Sequence, residues 1–156
     1  MTAPSSLRII PTVGVRGFTL IEVLIALAIV AIATVIAVPS YQSSSRKSNR
    51  SDGESLLLSI KARQETALYR NGRFSTDLTE LHYDSASGVK SSQGFYLASV
   101  LAPTADCPIN TCYVLRATPQ AGQAKDGILE LTSSGIYRRD KNNDGDASDA
   151  SEEGWR

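Results

Sequence analysis

The sequence has few of the side chains on which enzyme chemistry most often depends. It contains one histidine, two cysteines, one methionine and one tryptophan, and aromatic residues make up 6% of the chain. The single histidine, His82, has no plausible serine and aspartate partners for a catalytic triad. No nucleotide-binding loop and no HExxH zinc motif occurs in the sequence. We therefore expect a protein that is not an enzyme and that requires no cofactor.

An excess of charge of either sign is also absent. The 16 Lys and Arg residues balance the 16 Asp and Glu residues, so the formal net charge is zero. This balance does not indicate a whole-chain basic surface for nucleic acid, nor a strongly acidic disordered chain. Three basic residues near the C-terminus could contact the phosphates of a nucleic acid: Arg138, Arg139 and Lys141. Because they are few and acidic residues follow them, they indicate only a weak nucleic-acid-binding surface. Nucleic acid is therefore not a favoured partner.

What the sequence does contain is one long hydrophobic run, residues 18–38. Its non-hydrophobic members are Thr19, Glu22 and Thr34. A helix of this length spans about 31 Å, which is enough to cross the hydrocarbon core of a bilayer. Apolar residues occupy every side of such a helix, so we expect lipid or a crowded helical bundle around it.

The residues that flank the run predict its orientation in the membrane. Arg8 and Arg16 precede the run and no Lys or Arg lies inside it. The positive-inside bias then places residues 1–17 in the cytoplasm and the globular remainder in the periplasm. A plain signal anchor and a cleaved secretory signal would share these features. The cleaved signal is disfavoured because the run is long, reaches Pro39 and lacks a small-x-small site directly after it.

Glu22 is the anomalous residue of the run. A carboxylate inside an apolar span costs about 2–3 kcal/mol on insertion scales. Such a charge is retained where it finds a partner, or it lies at the interface and reaches the headgroups. Composition alone leaves both interpretations open.

The segment around Glu22 reads Gly17-Phe18-Thr19-Leu20-Ile21-Glu22. Placed directly before an apolar helix, it resembles the prepilin processing motif of type IV pilins and type II secretion pseudopilins. The resemblance implies cleavage by a prepilin peptidase between Gly17 and Phe18, and N-methylation of Phe18. It also implies an assembly role for Glu22, whose carboxylate can neutralise the new α-amine of a neighbouring subunit. We assign Pro39 to the same assembly helix, which it is expected to bend or locally melt.

The polar residues 41–50 that follow are either a flexible juxtamembrane linker, whose basic residues contact lipid headgroups, or, as the resemblance implies, a continuation of the helix. Apolar residues recur at helical spacing over residues 52–70, and Asn71-Gly72 is a helix stop. Strands are predicted at about residues 94–101, 112–118, 127–132 and 135–139. The short loops between them favour antiparallel hairpins. We therefore predict an α+β, type IV pilin-like fold, in which a long N-terminal helix, half of it transmembrane, packs on a small antiparallel β-sheet.

The motif and these patterns together predict three segments of the chain. Residues 1–17 are a cytoplasmic leader that is cleaved, and residues 18–45 are a hydrophobic transmembrane and assembly helix. Residues 46–156 are a globular pilin domain, which lies in the periplasm and then on the pilus at the cell surface.

Short segments spread over the chain resemble PilE-type minor pilins of Gram-negative type IV pili. They are Pro39-Ser40-Tyr41-Gln42, Arg63-Gln64-Glu65, Gly94-Phe95-Tyr96, Ala117-Thr118-Pro119, Gln123, Asp126, Leu129-Glu130-Leu131 and Gly135. The resemblance implies a structural minor pilin of an apparatus for adhesion, twitching motility or DNA uptake. Its implied partners are the major and other minor pilins, the prepilin peptidase and methylase, the inner-membrane assembly platform and, before assembly, membrane lipid. The alternatives are a type II secretion pseudopilin, a DNA-binding competence pilin and a lone membrane-anchored binding module.

The two cysteines, Cys107 and Cys112, lie close together in the sequence. Outside the inner membrane a disulfide is their expected state, and closing so small a loop contributes about 2 kcal/mol. Pilins of the resembled kind often carry a cysteine where this chain has Gly127-Ile128. Their usual bracing disulfide is therefore in doubt here.

An acidic segment near the C-terminus begins at Asp140 and has oxygen-bearing side chains at alternate positions. Counted from Asp140, Gly145 takes the sixth position. A tight calcium loop requires this pattern. Ser151 takes the twelfth position, where a bidentate Glu is needed, and no helices flank the loop. A solvated acidic tail is the alternative interpretation. The candidate calcium ligands are Asp140, Asn142, Asp144, Asp146, Asp149 and Glu152.

Overall fold

The computed structural model describes residues 17–155, apart from the side chain of Ala150. Except for Gly17, the predicted leader therefore lies outside the described residues. The described residues divide into two compact units, the first ending at Ser40 and the second beginning at Tyr41. One helix, α1 (Leu20–Asn71), begins in the first unit and ends in the second.

Helix α1 agrees closely with the helix that the sequence predicts. It ends at Asn71, and Gly72 follows with a φ of 70°, which glycine adopts readily at a helix stop. Of the bend or local melting predicted at Pro39, the melting is wrong, because Pro39 and the residues on both sides of it are helical, and the bend stays a prediction. Proline removes one hydrogen bond, the one to the carbonyl of Val35. The long flanking turns keep the helix formed across that single loss.

Five antiparallel strands form one sheet in the second unit, and they pair in sequence order. The strands are β1 (Val89–Lys90), β2 (Tyr96–Val100), β3 (Val114–Pro119), β4 (Leu129–Thr132) and β5 (Tyr137–Arg139). The predicted α+β fold is confirmed, and each of the four predicted strands is found within a few residues of its expected bounds. The sequence did not predict β1, because two residues are too few to show an alternating pattern.

The hydrophobic core of the second unit lies between one face of α1 and the sheet. The helix contributes Leu57, Ile60 and Ala67, which belong to the predicted apolar stripe and are all buried. The strands and loops contribute Phe74, Leu78, Leu81, Tyr96, Ala98, Tyr113, Leu115, Ala117, Leu129 and Leu131. All these residues lie within the second unit, so we expect this unit to fold without the apolar run.

Gly53 allows α1 to approach the sheet closely at Tyr96. A Cβ atom on Gly53 would lie 2.7 Å from Cγ and 2.8 Å from Cδ2 of Tyr96. The Tyr96 ring is held at both ends, because its backbone lies in β2 and its hydroxyl donates to Asp126 at 2.7 Å. The ring cannot move aside cheaply, so this helix position requires glycine.

We expect Gly53→Ala to destabilise the second unit, although alanine is ordinarily the better helix former by about 1 kcal/mol. Overpacking against Tyr96 costs about 1–3 kcal/mol, and here it should exceed that gain. Denaturant unfolding of a soluble fragment that begins at Tyr41 measures the difference. Gly122→Ala is the matched control, because a Cβ there would meet nothing within 4 Å. A fragment stabilised by Gly53→Ala would contradict the close approach.

Candidate functional site

The predicted membrane run is exposed along its whole length in the first unit. Every residue from Gly17 to Ser40 is exposed, and the large apolar side chains of Phe18 and Ile36 are 83% and 73% exposed. By length and composition, α1 could cross a membrane. An apolar surface of this extent needs lipid or other apolar helices around it. This run is therefore the candidate site for anchoring and assembly.

Thr19 and Glu22 close the first turn of α1. The backbone N–H of Glu22 donates to Oγ1 of Thr19 at 3.3 Å, and the backbone N–H of Thr19 donates to Oε2 of Glu22 at 3.4 Å. This reciprocal pair is a capping box, which the Thr-x-x-Glu spacing could have predicted. It holds the carboxylate at the positive end of the helix dipole. The roles of Gly17, Phe18 and Glu22 in processing and assembly stay predictions.

A buried ion pair joins α1 to the rest of the second unit. Arg50 donates to the carboxylate of Asp126 from Nε at 2.8 Å and from Nη2 at 2.6 Å. It also donates to the carbonyl of Trp155 at 2.7 Å. Asp126 is the last residue of a 3₁₀ helix, Ala121–Asp126, between β3 and β4. The hydrogen bond to Asp126 raises the pKa of Arg50, so the Arg50 guanidinium stays charged.

Tyr96 and Gln123 complete the network around this ion pair. The Tyr96 hydroxyl donates to Asp126, and the Gln123 amide donates to the backbone carbonyl of Arg46 at 2.7 Å. Burial, together with the hydrogen bond to Asp126, raises the pKa of Tyr96, so its hydroxyl remains a donor at neutral pH. Tyr96, Gln123 and Asp126 are among the residues that carry the resemblance to minor pilins. Each of them holds α1 against the sheet.

Asp52 fixes the turn between β1 and β2. Its carboxylate accepts hydrogen bonds from the Ser92 hydroxyl at 2.9 Å and from the backbone N–H groups of Gln93 at 3.2 Å and Phe95 at 3.4 Å. Burial alone would raise the pKa of Asp52, but hydrogen bonds from this turn lower it overall. Sequence analysis missed the roles of Arg50 and Asp52, and a glycine at position 53 inside a helical pattern was the available signal.

Gln64, which is fully buried in α1, holds the loop that follows the helix. Its amide donates to the carbonyl of Ser75 at 2.6 Å, and its Oε1 accepts the N–H of Ser75 at 2.9 Å. Arg63 donates to the carbonyls of Leu81 at 2.7 Å and His82 at 2.8 Å. Polar side chains of the helix therefore position this loop as well as the sheet.

The candidate calcium ligands lie in a loop whose buried carboxylates already accept backbone hydrogen bonds. Asp140 accepts three, from the N–H groups of residues 143–145. Glu152 accepts one from the N–H of Lys141 at 2.9 Å, while its Oε2 is buried and has no partner among residues 17–155. The described part of the chain holds no group of three or more His, Cys, Asp or Glu side chains placed to bind a metal ion. The exposed candidates are Asn142, Asp144, Asp146 and Asp149.

Cys107 and Cys112 form the predicted disulfide, which confirms that prediction. Their Cα atoms are 4.9 Å apart, and the bond clips the loop between β2 and β3. At Gly127, where a cysteine was considered, φ is 80° and a Cβ atom would overlap the carbonyl oxygen of Asp140. A side chain at position 127 does not fit, which gives a physical reason for the departure from the resembled pattern.

Two of the three basic residues that could contact DNA phosphates, Arg139 and Lys141, have side-chain contacts within the chain. Nη1 of Arg139 lies 3.8 Å from Oδ1 of Asp126. Nζ of Lys141 donates to two backbone carbonyls, at 2.7 Å and 3.3 Å. Arg138 pairs through its backbone with Glu153. Lys141 is therefore engaged by hydrogen bonds within the chain, and Arg139 by one long ion pair.

Comparisons with known proteins agree with this geometry. The family model described as "Type IV minor pilin ComP, DNA uptake sequence receptor" matches residues 39–131. The model described as "Prokaryotic N-terminal methylation motif" matches residues 14–38. Over 107 residues the chain is 29% identical to the type IV major pilin protein PilA of Myxococcus xanthus (strain DK1622), a match that covers 69% of this chain and 46% of PilA. The chain thus spans about half the length of the curated relative it matches.

The long apolar helix packed on an antiparallel sheet, together with the methylation motif, defines a type IV pilin, which is a structural protein and not an enzyme. Because the first family model matches more than half of the chain, the chain belongs to the type IV minor pilin ComP family. Its N-terminal helix and prepilin motif suggest membrane anchoring followed by assembly with other pilins.

We expect Asp126→Asn to destabilise the second unit by about 3–5 kcal/mol, because it leaves the buried Arg50 guanidinium without a counter-charge. Asparagine has the same size as aspartate and keeps an oxygen that can accept the hydrogen bond from the Tyr96 hydroxyl. The loss of unfolding free energy therefore measures the effect of removing the charge. Denaturant unfolding of the Tyr41–Arg156 fragment provides the measurement. Asp106→Asn, at an exposed position outside the network, should change the free energy of unfolding by no more than about 0.5 kcal/mol. Equal effects of the two substitutions would show that the ion pair is not a main support.

Proposed function

We propose that this protein is a minor subunit of a type IV pilus, held in the membrane and then assembled through its N-terminal helix. The exposed apolar run that begins at the Gly17-Phe18 junction carries this proposal. The second unit has a closed core of its own, whereas the described part of the first unit has no covering surface. The apolar part of the helix in such a fold needs lipid or other helices to cover it, whereas the globular part needs no covering partner.

The proposed topology follows from the positive-inside bias. The leader, residues 1–17, lies in the cytoplasm, the run crosses the inner membrane, and the globular domain lies in the periplasm. Prepilin peptidase cleaves after Gly17 and Phe18 is methylated. The inner-membrane platform then adds the subunit to major and other minor pilins. Glu22 and Pro39 belong to the surface that these neighbours contact.

DNA reception is the second candidate function. The description of the matched family as a DNA uptake sequence receptor favours it. A type II secretion pseudopilin would share the helix and the motif, but that description concerns a pilus. A gel-shift titration with duplex DNA over a salt series tests DNA binding. Phosphate contacts would make the affinity fall steeply with salt, and no shift at low salt would eliminate this candidate.

Processing is the first test of the proposed pilin function. In cells that contain a prepilin peptidase, the membrane-extracted chain should lose residues 1–17 and begin at methylated Phe18. Intact-mass spectrometry measures both changes together. Gly17→Ala should slow cleavage modestly, and a bulkier residue at position 17 should block it, because the peptidase needs close access to the backbone. A mature chain that keeps Arg8, or begins elsewhere, would refute the proposed processing.

Assembly should depend on the charge of Glu22 and not on its helix cap. Glu22→Gln keeps a capping-box residue at this position, and it removes the charge that a neighbouring α-amine would pair with. We expect Glu22→Gln and Glu22→Ala to insert into the membrane at least as well as the native chain. Both should be depleted in sheared pili, as measured by immunoblot of pilus and membrane fractions. Native incorporation of both variants would reject the pairing role.

The C-terminal acidic loop is either a solvated acidic tail, for which the described residues offer no group placed to bind a metal ion, or a weak calcium site. The unpartnered Oε2 of Glu152 supports the calcium site, while the separation of the other carboxylates and the serine at position 151 predict weak affinity. Calorimetry on the Tyr41–Arg156 fragment should give a dissociation constant of about 10⁻⁴–10⁻³ M. Asp144→Ala and Glu152→Gln should each weaken binding. No heat at millimolar calcium would leave a solvated acidic tail.

A further inference from the structure

One cleft of the second unit is lined mainly by basic side chains. It has a volume of about 320 Å³ and lies between α1, the 3₁₀ helix Ala121–Asp126 and the end of β5. Five of the residues that line it are positively charged, and Asp126 is its acidic residue. The basic residues are Arg46, Lys47, Arg50, Lys125 and Arg139.

Asp126 cannot balance this charge, because it brings one negative charge to five positive ones. It accepts two hydrogen bonds from Arg50 and one from the Tyr96 hydroxyl, and the nearest nitrogen of Arg139 remains 3.8 Å away. Nε of Arg139 is buried and has no hydrogen-bond partner within residues 17–155. Burial and the neighbouring charge of Arg50 lower the pKa of Arg139. Arg139 is therefore a cation with an incomplete set of partners.

The other three basic side chains of the cleft are also uncompensated. Lys47 and Lys125 are exposed and Arg46 is half-buried. None of the three has a side-chain hydrogen bond or ion pair within the described part of the chain. A ligand with several anionic oxygens could accept hydrogen bonds from these side chains and from the accessible part of the Arg139 guanidinium together. Phosphate has this geometry and is bound well by arginine and lysine.

We propose that this cleft binds the phosphate of an anionic phospholipid headgroup. The choice of a lipid rests on the proposed function, which places the apolar run in the membrane before assembly. Arg46 lies eight positions after Val38, the last residue of the run. Basic residues just outside a membrane span are attracted to anionic lipids. In the folded chain, Lys125 and Arg139 lie beside the basic segment that contains Arg46 and Lys47, and together these residues line one cleft.

A cleft of this form suits a single phosphate better than duplex DNA. The phosphates of DNA follow one another along a backbone, and proteins that bind it neutralise several of them in a row. Here the uncompensated cations converge on one place. Bound to a headgroup, they would hold the globular domain at the membrane surface until the subunit enters the pilus.

Protection of Lys47 from amine-directed labelling tests the proposal. The full chain is reconstituted in nanodiscs of phosphatidylcholine alone or of phosphatidylcholine mixed with phosphatidylglycerol, and labelling of each lysine is quantified by mass spectrometry. We expect phosphatidylglycerol to slow the labelling of Lys47 and Lys125 by about fivefold. Lys90, exposed in β1, reports on any general effect of the charged surface and should change little.

Lys125→Glu is the decisive variant, with Lys90→Glu as its matched control. Both residues are exposed, so neither change disturbs the core. Lys125→Glu should abolish the protection of Lys47, and Lys90→Glu should retain it. Protection of Lys47 that survives Lys125→Glu would show general surface attraction and overturn the proposed cleft.

Two further arms use phosphatidylcholine nanodiscs and identify the source of the anion. Inorganic phosphate that protects as well as phosphatidylglycerol would show a free-phosphate site and overturn the lipid assignment. Duplex DNA that protects where phosphatidylglycerol does not would assign the cleft to nucleic acid. The experiment needs neither cleavage nor a pilus, so its failure is distinct from failure of the proposed function.

Discussion

The buried ion pair between Arg50 and Asp126 is the contact on which the architecture of the second unit depends. Through it, α1 is joined to the segment between β3 and β4, to β2 by way of the Tyr96 hydroxyl, and to the C-terminal segment by way of the Trp155 carbonyl. Two buried charges are tolerated because each is hydrogen-bonded as well as paired. Asp126 hydrogen-bonds Arg50 and lies only within ion-pair distance of Arg139, and its single negative charge leaves the cleft beside it with an excess of positive charge.

The face that α1 turns towards the sheet is unusually polar for a core helix. Arg50, Asp52 and Gln64 are buried on it and satisfied by partners in three different segments, and Gly53 lets the Tyr96 ring approach. An apolar stripe alone would allow the helix to slide or rotate over the sheet at little cost. A shift of the helix by one residue along the sheet would break each of these polar contacts. Together they therefore fix a single register of α1 against the sheet.

The parts of this protein that could be predicted from the sequence are those with local physical signals. The apolar run, the Gly17–Glu22 motif, the Leu57 and Ile60 stripe and the Cys107–Cys112 loop each depend on residues near one another in the chain. Arg50 and Asp126 are separated by 76 residues, and nothing in either neighbourhood identifies the partner. At Pro39 the local signal was misleading, because a long helix absorbs the loss of one hydrogen bond.

The two units therefore meet different physical demands. In the second unit the apolar side chains of the core and the charges of its central ion pair find their partners within the unit, so lipid is not required for its stability. In residues 17–40, the described part of the first unit, the apolar side chains find none, and the surroundings must supply them. When neighbouring helices replace lipid around the run, its apolar side chains stay in apolar surroundings. In the function we propose, such a subunit leaves the membrane for a filament without unfolding its globular domain, and the charges in the run whose environment changes are the Glu22 carboxylate and the α-amine of Phe18.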